Sequence, residues 1–197
     1  MNDHSFRPPM RSGRETKERI ERAALELFVK QGVNGTSIRD VAKMAGVSQG
    51  AMYNHYESKE DLAFELFTRG WSEMGAELRR LSQADKRLRE KLEAMIEYVF
   101  DRFDKDWTMV SFVFFSRHDH LRRVSVHLPN PYLAFRKVIV DGVAKREIPR
   151  QDLEFATSMV IGAIIQVIDT KILGRIEGKL HGRGGMVAKG CAGLLGA

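Results

Sequence analysis

The 197-residue sequence is poor in cysteine and proline and contains no long uninterrupted apolar segment. The single cysteine, Cys191, cannot form an intramolecular disulfide, which excludes a small secreted scaffold held together by disulfides. The longest apolar run, residues 159–168, contains Gly162 and Gln166 and has roughly half the length that a membrane-spanning helix needs. Because residues 1–13 also lack the apolar core of a signal peptide, we expect a soluble cytoplasmic protein with no membrane partner.

The overall composition is that of an ordinary globular protein. Hydrophobic residues make up 43% of the chain and charged residues 29%, so a core can form without metal or disulfide cross-links. Lysine and arginine number 32 against 26 acidic residues, which gives a formal net charge of +6. This basic balance permits a polyanionic partner but does not require one.

Strand signals are nearly absent, and apolar residues recur at helical spacing along almost the whole chain. The first such face consists of Ile20, Ala23, Ala24, Leu27 and Phe28. Further helices are expected over about 37–45, 48–53, 58–80, 88–103, 107–115, 132–143, 153–176 and 186–195. The glycines of the last segment predict that it is helical only when packed on a partner, with a frayed tail as the alternative.

Residues 36–56 have the local chemistry of two short helices joined by a tight turn. Thr36 is expected to cap the first helix, and Gly46 can adopt the left-handed conformation that ends it. Val47 would fill the corner, and Ser48 would cap the second helix. The pattern is typical of a helix-turn-helix, whose second helix lies in the DNA major groove. An ordinary helical hairpin has the same corner, so spacing alone leaves that alternative open.

The second of these helices carries more hydrogen-bonding side chains than its solubility requires. Gln49 and Asn54 can pair with the edge of an adenine base. Gly50 and Ala51 are small enough to let the backbone approach DNA closely. The side chains suited to phosphate groups, which position a protein without reading sequence, are Tyr53, His55 and Lys59.

Four segments in the first third of the chain follow a specific pattern: residues 20–28 with Gly32, TSIRDVA at 36–42, AGVS at 45–48, and GAMYNHYESKEDL at 50–62. Over residues 15 to 62 the chain thereby resembles the DNA-binding domain of the tetracycline-repressor (TetR) family of bacterial transcription regulators. The resemblance implies that one group of positions faces base edges: Gln49, Gly50, Ala51 and Asn54. It also implies a second group at the phosphate backbone: Thr36, Ser37, Arg39, Tyr53, His55 and Lys59.

The resemblance also implies a C-terminal bundle that binds an effector and dimerises through its last two helices. The predicted fold is therefore all-α, with a helix-turn-helix domain at 14–60 joined to a ligand-binding and dimerisation domain at 61–197. A flexible basic arm at 1–13 would precede them, and Arg7, Arg11 and Arg14 would enter a DNA minor groove. A solvated tail is the alternative for this arm.

Aromatic side chains with a few polar groups are the usual lining of a small-molecule cavity. Nine residues of the C-terminal region are candidates for that lining: Phe100, Phe103, Trp107, Phe115, His118, Tyr132, Phe135, Met159 and Gln166. As a group they predict a medium-sized apolar or aromatic effector, although the same residues would equally form a solid core. His118 and His120 point apart on a helix, so we expect no metal site, and the sequence indicates no cofactor.

Enzymatic motifs are missing from the sequence. It contains no glycine-rich phosphate loop, nucleophile elbow or paired cysteine ligands, so an enzyme is not expected. A helical adaptor that binds only protein would explain the bundle but not the polar helix at 48–53. We therefore predict a homodimeric transcriptional repressor that binds a double-stranded inverted-repeat operator and is released by a small-molecule effector.

Overall fold

The computed structural model describes residues 13–197, and all regular secondary structure in that range is helical. The prediction of an all-α fold is therefore confirmed. The helices are α1 (Gly13–Gln31), α2 (Ile38–Ala45), α3 (Gln49–Tyr53), α4 (Lys59–Ser82), α5 (Leu88–Lys105), α6 (Trp107–Phe115), α7 (Arg117–His120), α8 (Pro131–Ala144), α9 (Leu153–Ile172) and α10 (Gly184–Leu194).

The basic arm expected at 1–13 lies outside the described residues except for Gly13, which begins α1. Arg7 and Arg11 therefore have no structural description. Arg14, which was expected to belong to the arm, lies in the first turn of α1. Its Nε is 3.0 Å from Oε1 of Glu18, so this arginine is part of a helix and has an acidic partner.

The chain divides into two compact units, the first ending at Leu66 and the second beginning at Phe67. This division falls within α4, close to the boundary at 60–61 expected from the sequence. The predicted inward face of α1 is buried in the first unit, with Phe28 4% exposed. Other buried side chains of this unit come from all of its helices: Val41, Ala42, Met52, Leu62 and Leu66.

In the second unit, α5 is the central helix, and α6, α8, α9 and α10 all pack against it. Residues 108–114 of α6 are buried on nearly all sides of the helix. Its two ends differ, because Trp107 is 50% exposed and Phe115 is 46% exposed. Of the aromatic residues of α6, Phe112 and Phe114 therefore belong to the core, whereas Trp107 and Phe115 reach the surface.

The helix α10 begins earlier than predicted and packs on α5 of its own chain. Burial against α5 supports the helix from within the chain, and the expectation that α10 is helical only when packed on a partner stays a prediction. Carboxylate oxygens of Asp104 and Glu97 also hold the preceding loop. They accept hydrogen bonds from four main-chain N–H groups, those of Leu180, His181, Gly182 and Gly184.

The helix α9 ends at Ile172, four residues before the predicted end at 176. Gly174, with a φ of 72°, directs the chain away from the helix. The 20 residues of α9 are long and apolar enough to cross a bilayer by length and composition alone. The apolar helix is longer than the run at residues 159–168 that the sequence suggested, because apolar residues such as Leu153 and Phe155 precede that run. Only 28% of its most apolar window is buried, so α9 has an apolar surface that residues 13–197 leave uncovered.

Candidate nucleic-acid interface and ligand cavity

Ser37, and not Thr36, is the N-cap of α2. The hydroxyl of Ser37 accepts a hydrogen bond of 3.1 Å from the main-chain N–H of Asp40, and the Asp40 carboxylate accepts one of 3.1 Å from Ser37 N–H. The hydrogen bonds from the Ser37 hydroxyl and N–H lower the pKa of Asp40. Gly46 ends α2 in the left-handed conformation with a φ of 63°, as the sequence predicts.

The short helix α3 is capped by Ser48, whose Oγ accepts a hydrogen bond of 3.1 Å from Ala51 N–H. This confirms the predicted turn between α2 and α3. Met52 is 0% exposed and is the only residue of α3 that is buried. The predicted DNA-facing residues on and just after α3 are exposed or half-buried: Gln49, Gly50, Ala51, Tyr53, Asn54 and His55.

The residues expected to contact phosphate from α2 have different environments. The side chains of Ser37 and Arg39 are exposed. Thr36 is only 2% exposed, and its hydroxyl donates a hydrogen bond of 2.8 Å to the carbonyl of Gly32. The Thr36 side chain therefore closes the loop between α1 and α2 and is withdrawn from the protein surface.

Lys59, at the start of α4, makes contacts that the sequence did not reveal. Its Nζ lies 2.8 Å from the carbonyl oxygen of Thr36, 3.0 Å from that of Val33 and 3.3 Å from that of Asn34. A lysine ammonium has three N–H donors, and each has an acceptor here. Lys59 therefore holds the α1–α2 loop against α4, whereas its contact with phosphate stays a prediction.

The second unit contains a cavity of about 280 Å³ between α4, α6, α7, α8 and α9. Its walls are mainly apolar, and three isoleucines of α9 form one side. Trp71 and Leu78 come from α4, where their seven-residue separation places them on one helical face. The main apolar lining residues are Trp71, Leu78, Phe114, Ile161, Ile164 and Ile165.

Two of the nine predicted ligand residues, Tyr132 and Phe135, line this cavity. The other seven lie elsewhere: Phe100 and Phe103 in the core around α5, Trp107 and Phe115 on the exposed ends of α6, His118 on the exposed side of α7, and Met159 and Gln166 on α9 away from the cavity. Aromatic character alone thus did not distinguish lining residues from core and surface residues.

Tyr132, which lines the cavity, and Arg136 share one carboxylate partner. The Tyr132 hydroxyl donates to the Glu154 carboxylate, and Arg136 Nε lies 2.6 Å from the same carboxylate. The bond from Tyr132 and then the bond from Arg136 lower the pKa of Glu154, while the same Glu154 contact raises the pKa of Tyr132. His120 on α7 is 6% exposed and lies 5.0 Å from the Phe67 ring, and burial lowers its pKa.

The sequence comparisons identify the first unit. Residues 20–66 match the family described as bacterial regulatory proteins, tetR family. The chain is 41% identical over 69 residues to the HTH-type transcriptional regulator AcrR of Shigella flexneri. The matched residues make up 35% of this chain and 32% of that protein. It is 30% identical over 101 residues to the HTH-type transcriptional repressor KstR2 of Rhodococcus jostii, covering 51% of this chain and 48% of that one. The chain thus spans between about a third and a half of these relatives.

Solved structures match the fold over almost the whole chain. The fatty acid degradation regulator FadR from Bacillus halodurans has a TM-score of 0.75 at 18% identity, covering 96% of this chain and 97% of that chain. FadR from Bacillus subtilis in complex with stearoyl-CoA has a TM-score of 0.66 at 21% identity, covering 89% and 97%. The DNA-binding segment at residues 20–66 therefore belongs to the tetR family of bacterial regulatory proteins, and the chain shares the fold of these solved regulators.

Proposed function

We propose that this protein is a cytoplasmic, ligand-responsive transcriptional repressor that binds an inverted-repeat operator as a homodimer. The observation that carries the proposal is the two-sided character of α3. Met52 anchors the helix in the core, while Gln49, Tyr53 and Asn54 are exposed around it. A helix of this length with capped ends and an exposed polar side suits the DNA major groove.

The exposed residues divide into two roles in this proposal. Gln49 and Asn54 pair with base edges, and the small Gly50 and Ala51 allow α3 to approach the groove floor. The remaining side chains contact phosphate and fix the orientation of α3: the exposed Ser37, Arg39 and Tyr53 and the half-buried His55.

The uncovered surfaces of α9 and α10 support a homodimer. Phe155 is 66% exposed, Met186 is 74% exposed and Leu194 is 63% exposed. Gly162 on α9 and Gly190 on α10 have no atoms within 4 Å of the position of a Cβ, so a second helix can approach both closely. A two-fold axis through this surface relates two α3 helices, which requires an operator with inverted half-sites.

The helix α4 supplies a route by which ligand binding changes DNA affinity. It contributes Trp71 and Leu78 to the cavity wall, and its first residue, Lys59, holds the loop that precedes α2. A ligand that favours one position of α4 shifts the population toward dimers whose α3 helices no longer match the groove spacing. Repression is then relieved because operator affinity falls.

Selection of genomic DNA fragments by the purified protein tests this proposal. We expect the bound fragments to share an inverted repeat, and fluorescence anisotropy should show tight binding to it. Moving one half-site by about 5 bp, or half a helical turn, should abolish that binding because the second α3 then faces the wrong side of the duplex. Equal affinity for isolated half-sites and inverted repeats, or no enrichment at all, would contradict the proposal.

A further inference from the structure

Among the residues described, one charged side chain lines the apolar cavity, that of Arg117 at the start of α7. A guanidinium is a planar cation that presents five N–H donors and no acceptor. Its Nη1 donates a hydrogen bond to the main-chain carbonyl of Phe114, which also lines the cavity. This bond holds the guanidinium beside the end of α6 and leaves its other N–H donors for a further acceptor.

Some arginines of the chain have acidic partners, among them the following two. Arg80 lies 2.5 Å from Glu77, and Arg136 lies 2.6 Å from Glu154. Arg117 differs, since no carboxylate of residues 13–197 lies within 4.0 Å of its guanidinium. These residues therefore place a cation beside an apolar cavity without a carboxylate partner of their own.

The neighbouring polar side chains also offer donors. Asn130 uses its Oδ1 to accept a hydrogen bond of 2.9 Å from Tyr132 N–H, which leaves its amide N–H₂ group for other acceptors. The hydroxyl of Tyr132 is occupied by Glu154, so this residue contributes mainly its ring to the cavity. A ligand at this wall thus meets a cation and an amide donor.

We propose that the effector is a compact carboxylate whose apolar body occupies the cavity and whose carboxylate pairs with Arg117. This inference rests on the proposed function, because it names the chemical class of its effector. A carboxylate accepts two parallel hydrogen bonds from a guanidinium and neutralises its charge, which neither a neutral nor a cationic ligand can do. The apolar body lies against Trp71 and the isoleucines of α9.

The size of the cavity restricts the ligand further. Its volume of about 280 Å³ lies near the lower end of the range for small-molecule sites, roughly 300–1,000 Å³. A medium-length alkanoate such as octanoate fits this description better than a long acyl chain with a large head group. The sequence predicted an apolar or aromatic effector, and the proposal adds a charged carboxylate to that apolar body.

Calorimetric titration of the full-length protein without DNA tests the proposal. The two ligands are octanoate and octanamide, which share the same chain and differ in charge. We expect octanoate to bind roughly tenfold to a hundredfold more tightly. In Arg117→Gln this preference should disappear, whereas in Arg122→Gln, which changes an exposed arginine away from the cavity, it should persist.

Several outcomes would overturn the assignment. These are equal binding of the two ligands, a preference that survives in Arg117→Gln, or binding of octanoyl-CoA without binding of octanoate. Thermal unfolding of each variant monitors its fold, and Arg117→Lys, which keeps the charge, should retain part of the preference. If octanoate binds through Arg117 but leaves duplex affinity unchanged, the carboxylate site stands and the proposed effector response fails.

Discussion

The hydroxyl of Tyr56 donates a hydrogen bond of 2.7 Å to the carboxylate of Glu21, and both residues are buried. Tyr56 follows α3, whereas Glu21 lies in the middle of α1, 35 residues earlier. Lys17 Nζ lies 3.9 Å from the Glu21 carboxylate and 5.4 Å from the centre of the Tyr56 ring. This polar contact ties the segment after α3 to α1 and so helps to fix the orientation of α3.

Removing the Tyr56 hydroxyl should destabilise the first unit. The Tyr56→Phe variant deprives a buried carboxylate of a donor, and we expect the free energy of unfolding to fall by about 1–3 kcal/mol. Urea unfolding followed by circular dichroism measures this loss. Tyr53→Phe is the matched control, because its side chain is exposed and its stability should change by less than about 0.5 kcal/mol. Equal stability of Tyr56→Phe and wild type would show that the contact is not needed.

The three carbonyl contacts of Lys59 predict a structural role. Lys59→Met leaves the carbonyls of Val33, Asn34 and Thr36 without this donor, and we expect a loss of about 1–3 kcal/mol in unfolding free energy. DNA affinity should fall equally on operator and scrambled duplexes, because the loop before α2 moves. Lys30→Met, at the exposed end of α1, is the control.

The salt dependence of binding separates this role from a phosphate contact. If Lys59 also contacts phosphate, the slope of log affinity against log salt should fall in magnitude by about 0.9 in Lys59→Met. A variant with full stability and a reduced slope would argue against the structural role and for the phosphate contact alone.

Gln49 is predicted to read one base pair. Gln49→Ala should weaken binding to the selected operator by about 1–3 kcal/mol and relax the preference at a single position. Anisotropy titrations against operators substituted at each position would locate that base pair. Gln83→Ala, which changes an exposed glutamine in the second unit, should leave all affinities unchanged. Uniform weakening on every duplex would identify Gln49 as a phosphate contact instead.

The uncovered face of α9 predicts the effect of a charge on self-association. Phe155→Glu places a carboxylate in the proposed dimer interface, and sedimentation velocity should show conversion to monomers because burying that charge is unfavourable. Leu133→Glu on α8 is comparably exposed, at 53%, but lies outside this face and should remain dimeric. Dissociation by both variants, or by neither, would place the interface elsewhere.

Substitution by alanine should affect stability differently at the two adjacent glycines that begin α10. A Cβ on Gly184 would lie 2.8 Å from the main-chain nitrogen of Glu97, so Gly184→Ala should cost about 1–3 kcal/mol through overpacking. A Cβ on Gly185 would meet only the carboxylate of Glu93, a flexible group, at 3.0 Å. Gly185→Ala should therefore be neutral or stabilise the helix by up to about 1 kcal/mol. Thermal unfolding would contradict the described packing if the two variants behaved alike.

The helix-turn-helix was predictable because its determinants are local. Gly46 and Ser48 act on the backbone within a few residues, so their types and spacing indicate the turn directly. The N-cap was misplaced by one residue, since Thr36 and Ser37 are equally suited to the role by type. Only the burial of Thr36 against the Gly32 carbonyl distinguishes them, and that depends on the packing of α1.

The cavity was far less predictable because residues from five helices converge on it. Aromatic residues such as Phe100 and Trp107 have the right composition, but one is in the core and the other is on the surface. Arg117 was missed because a single arginine after an apolar helix resembles any surface cation in the sequence. The missing acidic neighbour becomes apparent only when distant segments are placed in space.

The burial of Met52 alone among the residues of α3 separates two selective pressures that act on this helix. If α3 reads DNA as proposed, substitutions at the exposed positions around Met52 would change which base pairs are contacted without creating voids in the hydrophobic interior. On this proposal, a chain with this α3 could take up a new operator in a few substitutions while each intermediate keeps its fold.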